Sequence, residues 1–417
     1  MRIAIIGTGI SGLSAAWALH RDHTLTLFEA GDYIGGHTHT VDVEVQGRPY
    51  AVDTGFIVFN DWTYPQFIAL LDQLNVASRP TRMSFSVRCE RSGLEYNGEN
   101  LNTLFAQRRN LFRPAFHRMI RDILRFNREA PALLEQEQDS SLDAYLRAGC
   151  YSREFIDHYI LPMAAAIWSA EPAIMGQMPA RFFVRFFKNH GLLSVRDRPQ
   201  WRVIAGGSRS YVDALVAPFR ERIRLNCPVK WLRRQPGQVE IKPRGGAVEY
   251  FDQVIIATHS DQALRLLADP SAQEREILGA LPYQENDVVL HTDTRLLPRR
   301  RLAWAAWNYQ LPAQPRDRVA VTYNMNILQG LEAPETFCVT LNRGDAIDPA
   351  RILYRTTYHH PVFTIAGVQA QARRAEISGV NRTWYCGAYW RNGFHEDGVD
   401  SGLAVARELS ADWQVAA

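Results

Sequence analysis

Arg2-Ile3-Ala4-Ile5-Ile6-Gly7-Thr8-Gly9-Ile10-Ser11-Gly12 opens the chain, and Thr24-Leu25-Thr26-Leu27-Phe28-Glu29 follows it. A short apolar, β-branched run, a glycine turn, a helical pattern over residues 13–20 and a second strand at 24–28 make the start of a βαβ unit. The three glycines serve different ends. Gly7 permits the tight turn, Gly9 lets the backbone approach a pyrophosphate, and Gly12 lets helix and strand pack closely. The helix N-terminus at Ile10 and Ser11 supplies partial positive charge to the same phosphates. Glu29 ends the second strand 17 residues after Gly12, where a carboxylate accepts hydrogen bonds from an adenosine ribose 2′-OH and repels a 2′-phosphate. The pattern predicts an α/β fold with a Rossmann-type dinucleotide-binding domain.

The rest of the chain bounds what that domain can serve. With 417 residues, 46% hydrophobic and 22% charged, the protein exceeds what one core usually holds and is too apolar for disorder. Forty-seven Lys+Arg stand against 44 Asp+Glu, a net charge of +3, which is too even for a dedicated nucleic-acid binder. The five cysteines, Cys89, Cys150, Cys227, Cys338 and Cys386, are odd in number and scattered without a CxxC pair, so neither a disulfide framework nor a metal site is expected. Glycines interrupt the first apolar run, no cleavage site follows it, and no later segment reaches the ~18 apolar residues of a membrane span. A soluble, cytoplasmic protein is the expectation. Lys188, Lys230 and Lys242 are the only lysines.

Composition shifts along the chain. Alternating runs at 41–59 suggest a hairpin, and Pro65–Leu74 reads as a helix. From about 100 to 195 the chain is helical and rich in Arg and Phe, punctuated by Pro114, Pro131, Pro162 and Pro179. Short strands at 223–225, 229–232, 239–241 and 248–251 lead to the fully apolar Val254-Ile255-Ile256-Ala257, and strands bearing Trp304, Trp307, Tyr309 and Tyr323 follow. A strand ends near Gly387, and a helix runs from about Gly398 to Leu409.

After Glu29-Ala30 comes a second glycine turn, Gly35-Gly36-His37-Thr38, then Val52-Asp53-Thr54-Gly55-Phe56. With these residues the chain resembles the flavin amine oxidase superfamily, which includes monoamine and polyamine oxidases, protoporphyrinogen oxidase and phytoene desaturases. In that family the turn usually reads Gly-Gly-Arg; His37 keeps a donor whose charge depends on pH. The resemblance continues at Gly206-Gly207-Ser208, at Cys386-Gly387-Ala388 and at Asn392-Gly393-Phe394-His395-Glu396-Asp397-Gly398-Val399-Asp400-Ser401-Gly402. It implies non-covalent FAD held by Gly7, Gly9, Ile10, Ser11, Gly12, Glu29, Ala30, Gly35, Gly36, His37, Thr54, Gly55 and Phe56. Val229, Ala257 and Thr258 would flank the adenosine portion, and Gly387, Ala388, His395, Asp397, Gly398 and Val399 would lie along the flavin. It further implies an FAD domain from 1–75, 200–275 and 375–417, interleaved with an α+β substrate domain from 76–199 and 276–374.

In this superfamily the reaction is mostly hydride removal from a substrate C–H to flavin N5, so the protein supplies a dry, orienting pocket. Amine oxidases add two aromatic rings and a lysine near N5. Phe394 matches one ring and Tyr358 is the candidate for the other, but the stretch where the lysine belongs reads Val288-Val289-Leu290-His291-Thr292-Asp293-Thr294. That departure moves weight from an amine oxidase, kept as the alternative, to a dehydrogenase, desaturase or isomerase. Desaturation needs a base besides N5, and His359, in Tyr358-His359-His360-Pro361, is the candidate. Strings including Leu161-Pro162-Met163-Ala164-Ala165-Ala166-Ile167-Trp168-Ser169 resemble a bacterial group of NAD/FAD-binding oxidoreductases often encoded beside cyclopropane-fatty-acyl-phospholipid synthases. That resemblance implies an acyl-lipid substrate. A third alternative is a non-catalytic FAD-binding partner of such a lipid-modifying enzyme. In the chain itself, residues 108–128 form a basic amphipathic pattern that either contacts an anionic bilayer, at the inner face of the membrane, or packs its stripe on the core. Arg181-Phe182-Phe183-Val184-Arg185-Phe186-Phe187-Lys188 either lines an acyl tunnel or belongs to the core.

Overall fold

The computed structural model describes residues 1–136, 138–314 and 318–416, and a five-stranded sheet lies at its centre. In spatial order its strands are Ile223–Arg224, Thr24–Phe28, Arg2–Ile6, Gln253–Ile256 and Thr383–Tyr385, all parallel. A parallel sheet is stable only with both faces covered, and the alternation of side chains decides what covers each. Ile3, Ile5 and Ile255 pack with the helix Ile10–Leu19 and the C-terminal helix His395–Ala416. Ala4, Ile6, Val254 and Ile256 pack against the antiparallel meander Val229–Gln235, Gln238–Pro243, Glu249–Phe251. Three separate stretches of chain, 2–28, 223–256 and 383–385, thus supply one sheet.

A second sheet has seven strands, ordered Ile352–Pro361, Tyr283–His291, Cys338–Leu341, Val321–Asn324, Trp307–Leu311, Phe85–Cys89 and Leu94–Asn97. Only the pairing of Trp307–Leu311 with Phe85–Cys89 is parallel. It shares one apolar cluster with the helices Pro114–Glu129, Leu161–Trp168 and Ala180–Asn189. Between the two sheets runs the hairpin Thr40–Val45/Arg48–Asp53. Its two-residue loop has Gln46 at φ 53° and Gly47 at φ 73°, the double left-handed turn that matches strand twist.

From Pro114 onward the pattern over 108–128 resolves in favour of the core, while Leu111 and Phe112 before it stay exposed. Arg108–Phe112 is a 3₁₀ turn, and Pro114 starts the helix at its first position, where a missing N–H costs nothing. Phe116, Met119 and Phe126 of that helix are buried, and Ile120 and Ile123 pack on the same cluster. Arg118 pairs with Glu154, and Arg125 with Asp122 and Glu129, so this helix is not the bilayer-lying element the sequence allowed. In the helix Ala180–Asn189, Phe183, Phe186 and Phe187 are buried. Among the described residues no helix is long and apolar enough to cross a membrane.

Candidate active site

Ligands of open parallel sheets bind beyond the carboxyl ends of the strands. Here Gly7 follows Ile6, Glu29 follows Phe28, Ala257-Thr258 follow Ile256, and Gly387-Ala388 follow the strand ending at Tyr385; all six residues line one cavity of about 780 Å³. The two glycine turns meet at its edge. Gly9 and Gly35 pair as a parallel bridge, and the Gly35 N–H donates to the Thr8 carbonyl at 3.1 Å. The glycines divide their roles as the sequence expects. A Cβ on Gly12 would sit 2.2 Å from the Gly7 carbonyl oxygen, whereas one on Gly9 would meet no atom within 4 Å. Gly12 is needed for packing, and Gly9 opens onto the cavity. Glu29 is held in place, accepting from the Thr8 N–H at 3.0 Å and the Gly31 N–H at 2.8 Å. Its Oε2 accepts from the Thr8 hydroxyl as well, at 2.5 Å, while Oε1, bonded to the Gly31 N–H alone, keeps lone-pair capacity for a ribose hydroxyl.

Asp53 ties these turns to the rest of the molecule. Its fully buried carboxylate accepts from the Thr40 hydroxyl (2.6 Å), the Ser208 N–H (2.9 Å) and hydroxyl (2.7 Å) and the Gln329 amide (3.0 Å). The hairpin, the Gly206-Gly207-Ser208 turn and a residue beside the seven-stranded sheet therefore share one acceptor. Burial raises its carboxyl to about 6 despite those bonds. At the C-terminal motif, Glu396 accepts from the Gln66 and Phe67 N–H groups at 2.9 and 2.8 Å, capping the helix Pro65–Gln73 from outside. His395 stacks on Phe56 with centroids 3.6 Å apart and shares a 2.6 Å hydrogen bond with the Tyr211 hydroxyl; burial pushes it down to about 3.

Histidines crowd one wall. The His37 ring lies parallel to those of His360 and His259, at 5.4 and 5.7 Å, and edge-on to Tyr358 at 5.0 Å. Burial first, then the neighbouring imidazoles, holds His37 well below its ordinary value. His259 and His360 are lowered to about 4, mainly by burial, so both are neutral near pH 7. His360 is fixed by a 2.9 Å bond to the Asn286 amide, while the side chain of His359 is 47% exposed, 3.9 Å from Glu285. The Tyr358 hydroxyl bonds to Thr54 Oγ1 at 2.9 Å and His39 Nδ1 at 3.2 Å. Burial raises this phenol above its usual range, so it acts as a neutral donor.

Besides Gly7, Gly9, Glu29, Ala257, Thr258, Gly387 and Ala388, the cavity lining includes Ile10, Ser11, Ala30, Gly35, Gly36, His37, Thr54, Gly55, Phe56, Val229 and His395. The candidate catalytic residues Tyr358, His359 and Phe394 also line it. Four expected cofactor residues stand outside. Gly12 packs on Gly7, a Cβ on Gly398 would meet Ile10 at 2.6 Å, and Val399 is buried in the core. Asp397 turns its carboxylate to the Phe394 and Asn392 N–H groups at 2.9 and 3.2 Å, holding the loop. The Phe182–Lys188 stretch is also absent from the lining: Phe182 stacks on Phe363 at 5.1 Å and Phe186 on Phe394 at 4.9 Å, backing the wall instead of forming it. Met83, Trp168, Trp201, Trp307 and Tyr323 do form that wall, and only the last two are legible in the sequence as aromatics on strands.

An open glycine cradle, a carboxylate at the second strand end and a long cavity fit FAD. Residues 10–318 match the family model for flavin-containing amine oxidoreductases. The chain belongs to this family. Membership makes it a flavin-containing oxidoreductase, and FAD the dinucleotide that the glycine cradle would hold. Among relatives, it is 26% identical over 279 residues to the Mycobacterium tuberculosis chain assigned as flavin-containing monoamine oxidase AofH. That match covers 64% of this chain and 59% of the relative, so it spans little more than half of that protein. Among solved structures, a putrescine oxidase triple mutant superposes with TM-score 0.73 at 15% identity, covering 99% of each chain. A fatty acid isomerase from P. acnes that produces CLA superposes with TM-score 0.70 at 18% identity, covering 97% of this chain and 98% of its own. At such identities these two share the fold.

Proposed function

We propose that this flavoenzyme takes hydride from a C–H bond of a neutral, apolar acyl substrate, desaturating or isomerising the chain. The supporting observation is the chemistry of the lining. Met83, Ile167, Trp168, Trp201, Trp307 and Phe363 are apolar, and the one carboxylate among the described lining residues is Glu29, at the glycine turns. A cationic amine would be stranded without a counter-charge there, at a cost of several kcal/mol, whereas an acyl chain gains about 0.8 kcal/mol per buried CH₂. The lysine expected of an amine oxidase is missing from its place: Val288 faces the cavity there, Lys188 and Lys242 are not in the lining, and Lys230 joins it beside Val229, among the residues expected to flank the adenosine portion.

When bound, FAD supplies the hydride acceptor. The chain's own residues exclude water and orient the substrate, through the Trp307 and Tyr323 rings, edge-on at 5.3 Å, and through Phe394. The hydrogen-bonded row Thr54–Tyr358–His39 provides a place to hold or pass the proton that desaturation releases, with His359 at the exposed rim as the second group able to do so. A fatty acid isomerase and amine oxidases both share this fold, so fold alone does not choose between them. Anaerobic titration of the yellow protein with unsaturated fatty acyl lipids is expected to bleach the flavin if the chain is desaturated, or, if the hydride is returned, to leave it yellow while the lipid's double bond moves. Bleaching by mono- or polyamines with peroxide release on re-aeration, and neither change with lipids, would establish the amine oxidase reading instead.

A further inference from the structure

A second hollow of about 760 Å³ lies outside the cofactor cavity, lined by Arg79, Arg82, Arg301, Trp304, Gln200 and Asn324 among others, with no carboxylate in its lining. Arg301 stands over the Trp304 ring at 5.5 Å, and Arg79 lies over Gly330. Arg82 has one loose pairing, 3.7 Å to Glu99. Apolar side chains stand exposed beside these cations. The short helix Leu101–Leu104 packs against the turn Arg301–Ala303. Leu101 is 76% exposed, and Leu302 of that turn 39%. Arg108 bonds to Asn102 of the same helix and begins the turn that holds up Leu111 and Phe112, which is 87% exposed. Arg108 and Arg109 direct their guanidinium groups to backbone carbonyls, so no carboxylate cancels their charge in any pairing among the described residues.

We propose that this face docks the enzyme on an anionic phospholipid bilayer, with Leu101, Leu111 and Phe112 entering the apolar boundary and the Arg79–Arg82–Arg301 hollow receiving a lipid phosphate. Exposed apolar tips beside arginines of which only Arg82 has a carboxylate nearby, at 3.7 Å, match a surface that offers hydrocarbon and phosphate together. A protein partner would need a groove for each tip, but a bilayer needs none. The position of the face is a separate support. In three successive pairs, Arg82/Met83, Gln200/Trp201 and Asn324/Tyr323, the first or polar member lines the hollow and its neighbour lines the cofactor cavity. The docking face is thus the outer side of the aromatic wall.

The proposal is tested by co-sedimentation of the holoenzyme with saturated-chain vesicles, which present no double bond to act on and so separate docking from the substrate reading. Binding to phosphatidylglycerol vesicles, weakened by salt, and none to phosphatidylcholine vesicles is expected. Phe112→Ser and Leu101→Ser are each expected to weaken it about tenfold, and Arg79→Ala or Arg301→Ala about fivefold, all with unchanged flavin spectrum and melting temperature. The proposal is overturned if the holoenzyme stays in the supernatant with phosphatidylglycerol. It is equally overturned if the apolar variants bind as the parent does, or if inorganic phosphate binds the hollow while vesicles do not.

Discussion

The glycine cradle and the aromatic wall are two ends of one cavity, built on opposite plans. The cradle is backbone: Gly7, Gly9, Gly35 and Gly36 are placed by strand ends and turns of the parallel sheet, and what they hold is fixed by peptide N–H groups and by Glu29. The wall is side chain: Met83, Trp168, Trp201, Trp307 and Tyr323 come from separate elements, and a second layer of Phe182 and Phe186 supports it. A backbone site keeps the same ligand wherever the fold occurs, while a side-chain site can be recut without disturbing the sheet. This difference lets one fold serve more than one substrate class.

The sharpest way to separate packing from cofactor contact within the cradle is a pair of substitutions. Gly12→Val drives its side chain into the Gly7 carbonyl and is expected to give little folded protein and no yellow colour. Gly9→Ala points into open space, so the apoprotein should melt as the parent does while FAD retention falls. Equal damage to the melting of both apoproteins would show that the cradle has no such division. Next in size is Asp53→Ala, which orphans the Thr40, Ser208 and Gln329 donors at a cost of about 3 kcal/mol in stability, read by denaturant unfolding. A loss under about 1 kcal/mol would mean the three segments hold without it.

At the wall end, Tyr358→Phe removes the hydroxyl shared with Thr54 and His39. Turnover is expected to fall about a hundredfold, as for loss of a proton-transfer group, with the flavin still bound. Unchanged turnover would make Tyr358 a packing ring only. The last expected effect, which bears on both ends of the cavity, is on acid stability. His259 and His360 are lowered to about 4 and His395 to about 3 by burial, against an ordinary 6.5. Below 6.5 the unfolded chain takes up protons that the fold refuses, so stability falls toward pH 4 by ~1.4 kcal/mol per unit for each histidine. Asp53 and Asp397, raised to about 6, work in the opposite direction: the fold protonates them first as pH drops, and they return part of the loss. A falling melting temperature over that window, flattened by His395→Gln, is the expected record, and a flat profile in the parent would contradict it.

How far each end can be read in the sequence follows from the same contrast. Gly7, Gly9, Gly12 and Glu29 are legible because their meaning lies in spacing along one βαβ unit. Asp53 lies inside the motif Val52–Phe56, yet its partners Ser208 and Gln329 are 155 and 276 residues away, and no local pattern announces such a bond. Asp397 is outside the cavity lining for a related reason, since a carboxylate near a helix start serves the loop amides beside it as readily as a ligand. The stripe of 108–128 has two faces, one apolar and one basic, and only packing shows that Phe116, Met119 and Phe126 turn inward. Trp307 and Tyr323 are visible as aromatics on strands, but their register as direct cross-strand partners, which brings them to one side of the cavity, belongs to the sheet.

A structure of the holoenzyme with a saturated fatty acyl chain is the most direct measurement of how the cavity is divided. FAD along Gly9, Glu29 and His37, with the acyl chain against Trp201, Trp307 and Phe394, is the expected result. An acyl chain excluded from that wall, or an amine bound there in its place with a carboxylate for its charge, would contradict it.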